Sequence, residues 1–339
     1  MKRVHISLAD IATYDNLLRA TWKAARGKQN RPEIMRFIAN LDNSLQQLST
    51  VILQGKAPSG HYRHFHIHDP KLRLIHAACF EDRVLQHAVM NLAEPVFERT
   101  LVPSTFACRP NHGVHKAVRQ VQKNLQRFPW FVKVDIRQYF PSIDHGCLFE
   151  LLGRRFKGRD FMDLLKRILD SYAARPGKGL PIGSLTSQHF ANYYLDGADR
   201  FLLEHPHVCA HVRYMDDTLL WCLDKADAKQ VLSELKSYLR IERQLQLKPD
   251  VQVNRSQRGV TYCGYRVLPG TLRLSPRKRR RYQLLRRQWE AKWQAGEISS
   301  RKLQEAYAAV HAITLHADST AWRKRNLQVH PSSYIKVAG

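Results

Sequence analysis

His211-Val212-Arg213-Tyr214-Met215-Asp216-Asp217-Thr218-Leu219-Leu220-Trp221-Cys222 is the stretch whose reading decides the fold. Residues 211–214 and 218–222 read as two strands flanking a Met-Asp-Asp apex, a hairpin that carries Asp216 and Asp217 at its turn. A second run, Phe131-Val132-Lys133-Val134-Asp135-Ile136, alternates apolar and charged residues. A strand there buries Val132, Val134 and Ile136 and turns Asp135 onto the opposite face, toward a groove. Three carboxylates that meet either raise a pKa to escape repulsion or recruit hard divalent ions, and Mg²⁺ favours a few carboxylates plus substrate phosphates. Two ions roughly 3.5 to 4 Å apart would activate an attacking hydroxyl and stabilise leaving pyrophosphate in an in-line displacement. The plainer reading is that Asp-Asp sits at a turn because Asp favours turns, and that Asp135 opens a loop after a core strand. The two segments in combination point to nucleotidyl transfer.

The composition agrees. In 339 residues, 55 Lys and Arg face 29 acids, a net charge of +26 with pI near 10.1, which implies a polyanionic partner. Hydrophobic content of 44% excludes wholesale disorder, and no apolar stretch approaches the ~20 residues needed to span a bilayer, so no membrane is expected. The N-terminus has no apolar segment of signal length, which implies a cytoplasmic protein. Cys79, Cys108, Cys147, Cys209, Cys222 and Cys263 lack metal-ligand spacing and read as reduced core residues. His64, His66 and His68 share one face of a strand without a cysteine or carboxylate partner at zinc-like spacing, so a solvated or phosphate-facing surface is the better reading.

Periodicity predicts helices over 14–25 and 32–53, extended segments 62–67 and 72–76 around an Asp69-Pro70-Lys71 turn, and a helix over 81–97. A loop over 105–113 precedes a helix over 114–126. Helices follow from about 147 to 172, after a Gly/Pro loop to about 204, and over 227–245, with a strand over 259–267 and a basic helical tail. Strands alternating with helices give an α+β body with a helical appendage. In the tail, Arg273, Arg277, Lys278, Arg279, Arg280, Arg281, Arg286 and Arg287 occur without an acid, while Tyr282, Leu285, Trp289 and Trp293 recur at helical spacing. One face packs and the other binds phosphate, with affinity that falls as salt rises.

This order of motifs resembles the palm and fingers of a reverse transcriptase, from about residue 35 onward. The resemblance implies a right-hand polymerase fold. Residues 1–60 would be an N-terminal helical extension, 61–130 fingers, 131–268 palm with a fingers insertion at about 147–180, and 269–339 thumb. Tyr214-Met215-Asp216-Asp217 matches the Tyr-x-Asp-Asp box and Asp135 the first catalytic carboxylate, with the Ile136 carbonyl implied as a further ligand for two Mg²⁺ ions, or Mn²⁺ as substitute. Phe140 falls where the family keeps an aromatic that blocks a ribose 2′-hydroxyl. Lys71 and Arg73 stand where it contacts the incoming dNTP, and Asp82-Arg83-Val84-Leu85-Gln86 resembles its Asp-Arg-x-x-Gln segment. Phe106-Ala107-Cys108-Arg109-Pro110 with Gly113 matches another fingers loop, and Tyr262-Cys263-Gly264-Tyr265 resembles the primer-grip hairpin. By this resemblance Arg83, Arg109, Tyr214, Met215, Gly264, Arg277, Lys278, Arg280 and Arg281 contact nucleic acid: template RNA, DNA primer and the RNA/DNA duplex.

Leu180-Pro181-Ile182-Gly183-Ser184-Leu185-Thr186-Ser187-Gln188 departs from the usual pattern, which has Gln at the position of Ile182 and Pro at that of Gln188. The Ile-Gly-x-x-x-Ser-Gln form is similar to the subgroup from diversity-generating retroelements, so Ile182, Gly183, Ser187 and Gln188 are expected near the dNTP. That subgroup, bacterial or phage-encoded, copies a template-repeat RNA with errors at adenines and works with an accessory variability protein that forms an oligomer. With motifs and thumb occupying these residues, RNase H or nuclease activity is expected to come from elsewhere. The alternatives are a retron, group II intron-like or phage-defence reverse transcriptase, and, from another class, a catalytically silent RNA-binding protein. The intact Asp135, Asp216 and Asp217 argue against the last, because an unused cluster of like charges costs stability.

Overall fold

The computed structural model describes residues 2–68 and 72–331. A short strand β1 (Val4–His5) and helix α1 (Leu8–Ala12), closed by a reciprocal cap between Ser7 and Asp10, lead into α2 (Tyr14–Ala25). The helix expected over 32–53 is two helices, α3 (Pro32–Ala39) and α4 (Leu41–Leu53). They part at Asn40, which leaves helical dihedrals at φ −125° and ψ 49°, as a side chain that competes for nearby backbone bonds favours. Strands β2 (Tyr62–His68) and β3 (Leu72–Ala78) pair antiparallel from Tyr62↔Ala78 to His68↔Leu72. The Asp69-Pro70-Lys71 turn between them, with the expected triphosphate ligand Lys71, lies outside the described residues. Next come α5 (Phe80–Thr100), which packs along α2, and the amphipathic α6 (Val114–Arg127).

The middle of the chain supplies β4 (Trp130–Val134), α7 (Tyr139–Ser142), α8 (His145–Gly153), β5 (Phe156–Lys157), α9 (Arg159–Asp170), α10 (Leu185–Tyr194), α11 (Asp196–Glu204), β6 (Ala210–Tyr214), β7 (Asp217–Cys222), α12 (Lys225–Arg243) and β8 (Gln252–Arg255). The helical run expected over 147–172 is interrupted because buried Phe156 pairs with Val4 of β1 and Gly158 turns the chain at φ +104°. An antiparallel sheet forms in the order β6-β7-β4-β8. Its two faces enter separate cores. Val132, Val134, Leu220 and Cys222 join one core with residues of α8 to α12, while Phe131, Val212, Leu219 and Trp221 join another under α6. Alternation therefore sends Lys133, Asp135 and Asp217 to the α6 side, as the sequence pattern requires.

The strand expected over 259–267 is a hairpin. Strands β9 (Val260–Tyr262), β10 (Tyr265–Leu268) and β11 (Thr271–Leu274) form a second sheet, turned at Cys263-Gly264 with φ +46° and +79°. Helices α13 (Pro276–Gln294), α14 (Ser300–Ala312) and α15 (Thr320–Val329) follow. Among the described residues no helix is long and apolar enough to cross a membrane.

One buried ion pair ties these pieces together. Arg213, 1% exposed, donates through Nε and Nη2 to Asp199 of α11, the shortest bond 2.6 Å, through Nη1 and Nη2 to the side chain and carbonyl of Asn192 in α10, and through Nη1 to the Met215 carbonyl at 3.0 Å. Its own carbonyl accepts from Phe106 of the 105–113 loop at 2.9 Å. Burial opposes ionisation of Asp199, yet the Arg213 charge, with hydrogen bonds from His211 and Arg213, holds its carboxyl well below the usual range. Removing one partner leaves the other charge buried and uncompensated. Asp199→Asn should lower unfolding free energy in urea by about 3–5 kcal/mol; a loss under about 1 kcal/mol would show that the pair does not brace the fold.

Candidate active site

Tyr214 and Asp217 pair across the β6–β7 hairpin, so the loop is the two residues Met215 and Asp216, and Asp217 is the first residue of β7 rather than part of the turn. Met215 has φ +58°, in the left-handed region that favours glycine and costs a non-glycine residue of order 1 kcal/mol. The Arg213 bond to its carbonyl holds that conformation. Asp135 follows the end of β4, in line with the tip.

The three acids sense one another. Burial, then the charge of Asp135, pushes the Asp216 carboxyl up to about 6. Burial pushes Asp217 up to about 7, with Asp135 and Asp216 adding to the rise and Lys133 opposing it. Two lysines supply counter-charge: Lys248 Nζ lies 2.5 Å from Asp135 Oδ2, and Lys133 Nζ lies 3.4 Å from Asp217 Oδ2. Among the described residues the buried Oδ1 atoms of Asp135 and Asp217 have no hydrogen-bond partner. Among the described residues no three His, Cys, Asp or Glu side chains stand close enough to form a ready-made metal cage. Like-charged carboxylates repel, and here they lean on lysines. Orphaned hard oxygens in a partly buried acidic pocket are a donor set that suits Mg²⁺. Ile136 sits in an isolated antiparallel bridge with Leu247, made by the Asp135 carbonyl and the Arg137 amide rather than by the Ile136 carbonyl.

The sequence profile of the family described as Reverse transcriptase (RNA-dependent DNA polymerase) matches residues 66–267, more than half of the chain and all three acids. The chain belongs to the reverse transcriptase family. It is 28% identical to YkfC of Escherichia coli over 171 residues, 45% of each chain. It is 27% identical to the group II intron-encoded protein LtrA of Lactococcus lactis over 140 residues, 40% of this chain and 23% of that one. These matches span less than half the length of either relative. A likeness in shape reaches apo telomerase from Candida tropicalis, with TM-score 0.48, 12% identity and coverage of 82% of this chain and 63% of that one.

Around this reverse transcriptase core the other expected residues divide. Arg73 is exposed on β3, and Phe140 is half-buried while its neighbour Tyr139 is 3% exposed and donates to the Ala191 carbonyl. Ile182 is half-buried, with its carbonyl accepting from the His76 amide at 3.0 Å, which binds the β2–β3 hairpin to this loop. Gly183 adopts φ +111°. Ser187 is 2% exposed inside α10 and presents no open surface, whereas Gln188 is half-buried and accepts from Cys108 Sγ at 3.6 Å. In the Asp82 to Gln86 segment, Asp82 accepts from the amides of Ser59 and Gly60 and Gln86 accepts from the Leu185 amide. Arg83 lies over the Phe80 ring at 5.2 Å, and among the described residues its buried Nε has no hydrogen-bond partner.

The Arg109 guanidinium is bound to Glu98 at 2.7 Å and to the carbonyls of Val102 and Thr105, so it braces the 105–113 loop. The basic tail is not cationic on one face alone, because Arg286 is 2% exposed and faces Glu290 at 3.3 Å, and Arg279 packs on the Trp322 ring. Arg277, Arg280 and Arg281 are exposed along α13. Lys278 lies 3.4 Å from the Tyr265 ring centroid and beside Gly264, where a Cβ would come within 2.8 Å of its Cε. Burial lowers the Lys278 pKa to about 8. His64 Nδ1 contacts His76 Nδ1 of β3 at 2.8 Å.

The raised carboxyls have a thermodynamic sign. A carboxyl whose folded pKa lies above its unfolded value makes the fold less stable as pH climbs from about 4 through the folded pKa. Asp216→Asn should raise the melting temperature of the metal-free protein at pH 8 by on the order of 2 °C and leave it unchanged at pH 4. No gain at pH 8 would show that Asp216 is not strained by its neighbours.

Proposed function

We propose that this chain is an RNA-directed DNA polymerase that copies a template-repeat RNA into cDNA with adenine-directed errors, as in diversity-generating retrohoming. The observation that carries polymerisation is the acidic cluster at the hairpin tip, where Asp216 is lifted to about 6 and Asp217 to about 7 and where, among the described residues, the buried Oδ1 atoms of Asp135 and Asp217 have no hydrogen-bond partner. Asp135, Asp216, Asp217 and the Ile136 carbonyl would hold two Mg²⁺ ions, or Mn²⁺ in their place, which would activate the primer 3′-hydroxyl and stabilise leaving pyrophosphate. Lys248 and Lys133 balance the charge of Asp135 and Asp217.

The remaining work falls to side chains and backbone. Lys71 and Arg73 receive the triphosphate, for which arginine offers paired planar donors. Phe140 bars a ribose 2′-hydroxyl, and Ile182, Gly183 and Gln188 border the nascent pair. Tyr214, Met215 and Gly264 support the primer end, while Arg83, Arg277, Lys278, Arg280 and Arg281 follow the nucleic-acid backbone by charge. Residues 1–60 serve as an N-terminal extension to fingers, palm and thumb over 61–130, 131–268 and 269–339.

The diversity-generating subtype rests on Ile182 and on Ser187-Gln188. A glutamine near the pair can hydrogen-bond to nucleotide and template, whereas Ile182 offers apolar contact alone, and a site rejects a wrong substrate strongly only when that substrate leaves polar groups unpaired. An accessory variability protein oligomer belongs to this reading. The match to group II intron-encoded LtrA favours a second reading, an intron-type reverse transcriptase that copies faithfully.

Primer extension on an RNA template with Mg²⁺ should be lost by ~10³-fold in Asp216→Ala; equal extension by both proteins would refute polymerase chemistry at this site. Sequenced products should show errors concentrated opposite adenine, falling by about tenfold in Ile182→Gln. Errors spread evenly over the four template bases would favour the intron-type reading.

A further inference from the structure

Lys133 has no role in the reading above beyond charge balance, yet its surroundings are unusual. It lies on β4 two residues before Asp135 and on the same face. Its Nζ is 3.4 Å from Asp217 Oδ2 and donates to the Thr261 carbonyl at 2.9 Å. The ammonium also stands 5.8 Å from the centroid of the Tyr262 ring, and the Tyr262 hydroxyl donates to the Asp217 carbonyl at 3.0 Å. Thr261 and Tyr262 are in β9, in the second sheet, and among the described residues no strand of that sheet pairs with a strand of the first. Across this gap one cation and one phenol join the hairpin that turns at Cys263-Gly264 to the acid at the tip of the other hairpin.

We propose that Lys133, with Tyr262, is a positioning residue that sets the height of the primer 3′ end against Asp217 by locking the Cys263-Gly264 hairpin to it. The inference rests on the polymerase reading for its consequence, although the mechanical link does not. The ammonium makes one charge-assisted hydrogen bond, to the Thr261 carbonyl, and one ion pair, to the Asp217 carboxylate, and with the Lys133 side chain 20% exposed water competes for them only in part. Without it, the Asp217 carboxylate loses its nearest cation and the hairpin loses a tie to the first sheet. A misplacement on the order of 1 Å at reacting atoms costs ~10²-fold in rate. A primer end whose height is no longer fixed also loses the means to tell a paired terminus from a mispaired one.

The link is tested first without chemistry. Amide hydrogen exchange over 260–264 should quicken about tenfold in Lys133→Met relative to wild type, with exchange over 62–68 unchanged as a check on folding. Unchanged exchange at 260–264 overturns the proposal whether or not the protein polymerises. On RNA-templated primers, Lys133→Met should lower kcat about 10- to 100-fold with little change in KM for dNTP, and should narrow the rate ratio between matched and 3′-mispaired primers. Lys133→Arg, which keeps the charge and both acceptors, should recover most of the rate and the ratio. Tyr262→Phe should act in the same direction, and the double variant should lose less than the product of the two single losses. A matched-to-mispaired ratio equal to wild type, or losses that multiply, overturns positioning. If wild type fails to extend any primer, the polymerase reading falls, and the exchange experiment alone decides the link.

Discussion

The hairpin tip that carries Asp216 and Asp217 depends on a charge that water cannot reach. Arg213 lies on the inner face of β6, one residue before Tyr214, and its guanidinium is used up by Asp199, Asn192 and the Met215 carbonyl. A buried guanidinium is tolerable only when its donors are met, so α10, α11, the 105–113 loop and the hairpin tip are fixed relative to one another by the need to meet them. The strained φ of Met215 persists for the same reason. Asp216 and Asp217 are thereby held in a partly buried position within reach of the Asp135 charge, and burial together with that charge raises their pKa values.

Beneath a chain of net charge +26 lies a division of labour. Some cations are structural: Arg213, Arg109 and Arg286 are buried against carboxylates or carbonyls, and Arg279 is packed against an aromatic ring. Others, such as Arg277, Arg280 and Arg281, are exposed along a helix. Lys133 and Lys248 form a third group, committed to the acids themselves. Total charge therefore overstates the surface offered to a polyanion, and salt dependence should follow the exposed set.

The parts of the structure governed by local pattern were legible from the residues. Alternation in 131–136 gave the faces of β4, and two apolar runs around Met-Asp-Asp gave the hairpin, because the side-chain period of a strand leaves little choice once one face is buried. What periodicity could not reveal was of two kinds. The strand at Phe156 that pairs with Val4 and the inward turn of Arg286, which donates to the His330 carbonyl, depend on contacts distant in sequence, whereas the helix break at Asn40 and the Arg286–Glu290 pair are local features that an apolar stripe does not record. Arg213 was visible only as a charge in a strand. That placement is a signal in itself, since a charge on the core-facing side of an alternating strand demands a buried partner. Lys248 was too far along the chain from Asp135 to be assigned, although the two meet at 2.5 Å.

The central claim is that Asp135 and the Asp216-Asp217 pair serve one two-ion pocket. Manganese electron paramagnetic resonance on the protein bound to an RNA template, a DNA primer and a non-hydrolysable dNTP measures this directly. The account predicts two magnetically coupled Mn²⁺ ions about 4 Å apart, with the coupling lost in Asp135→Asn. Isolated, uncoupled ions, or a signal that Asp135→Asn leaves intact, would contradict it.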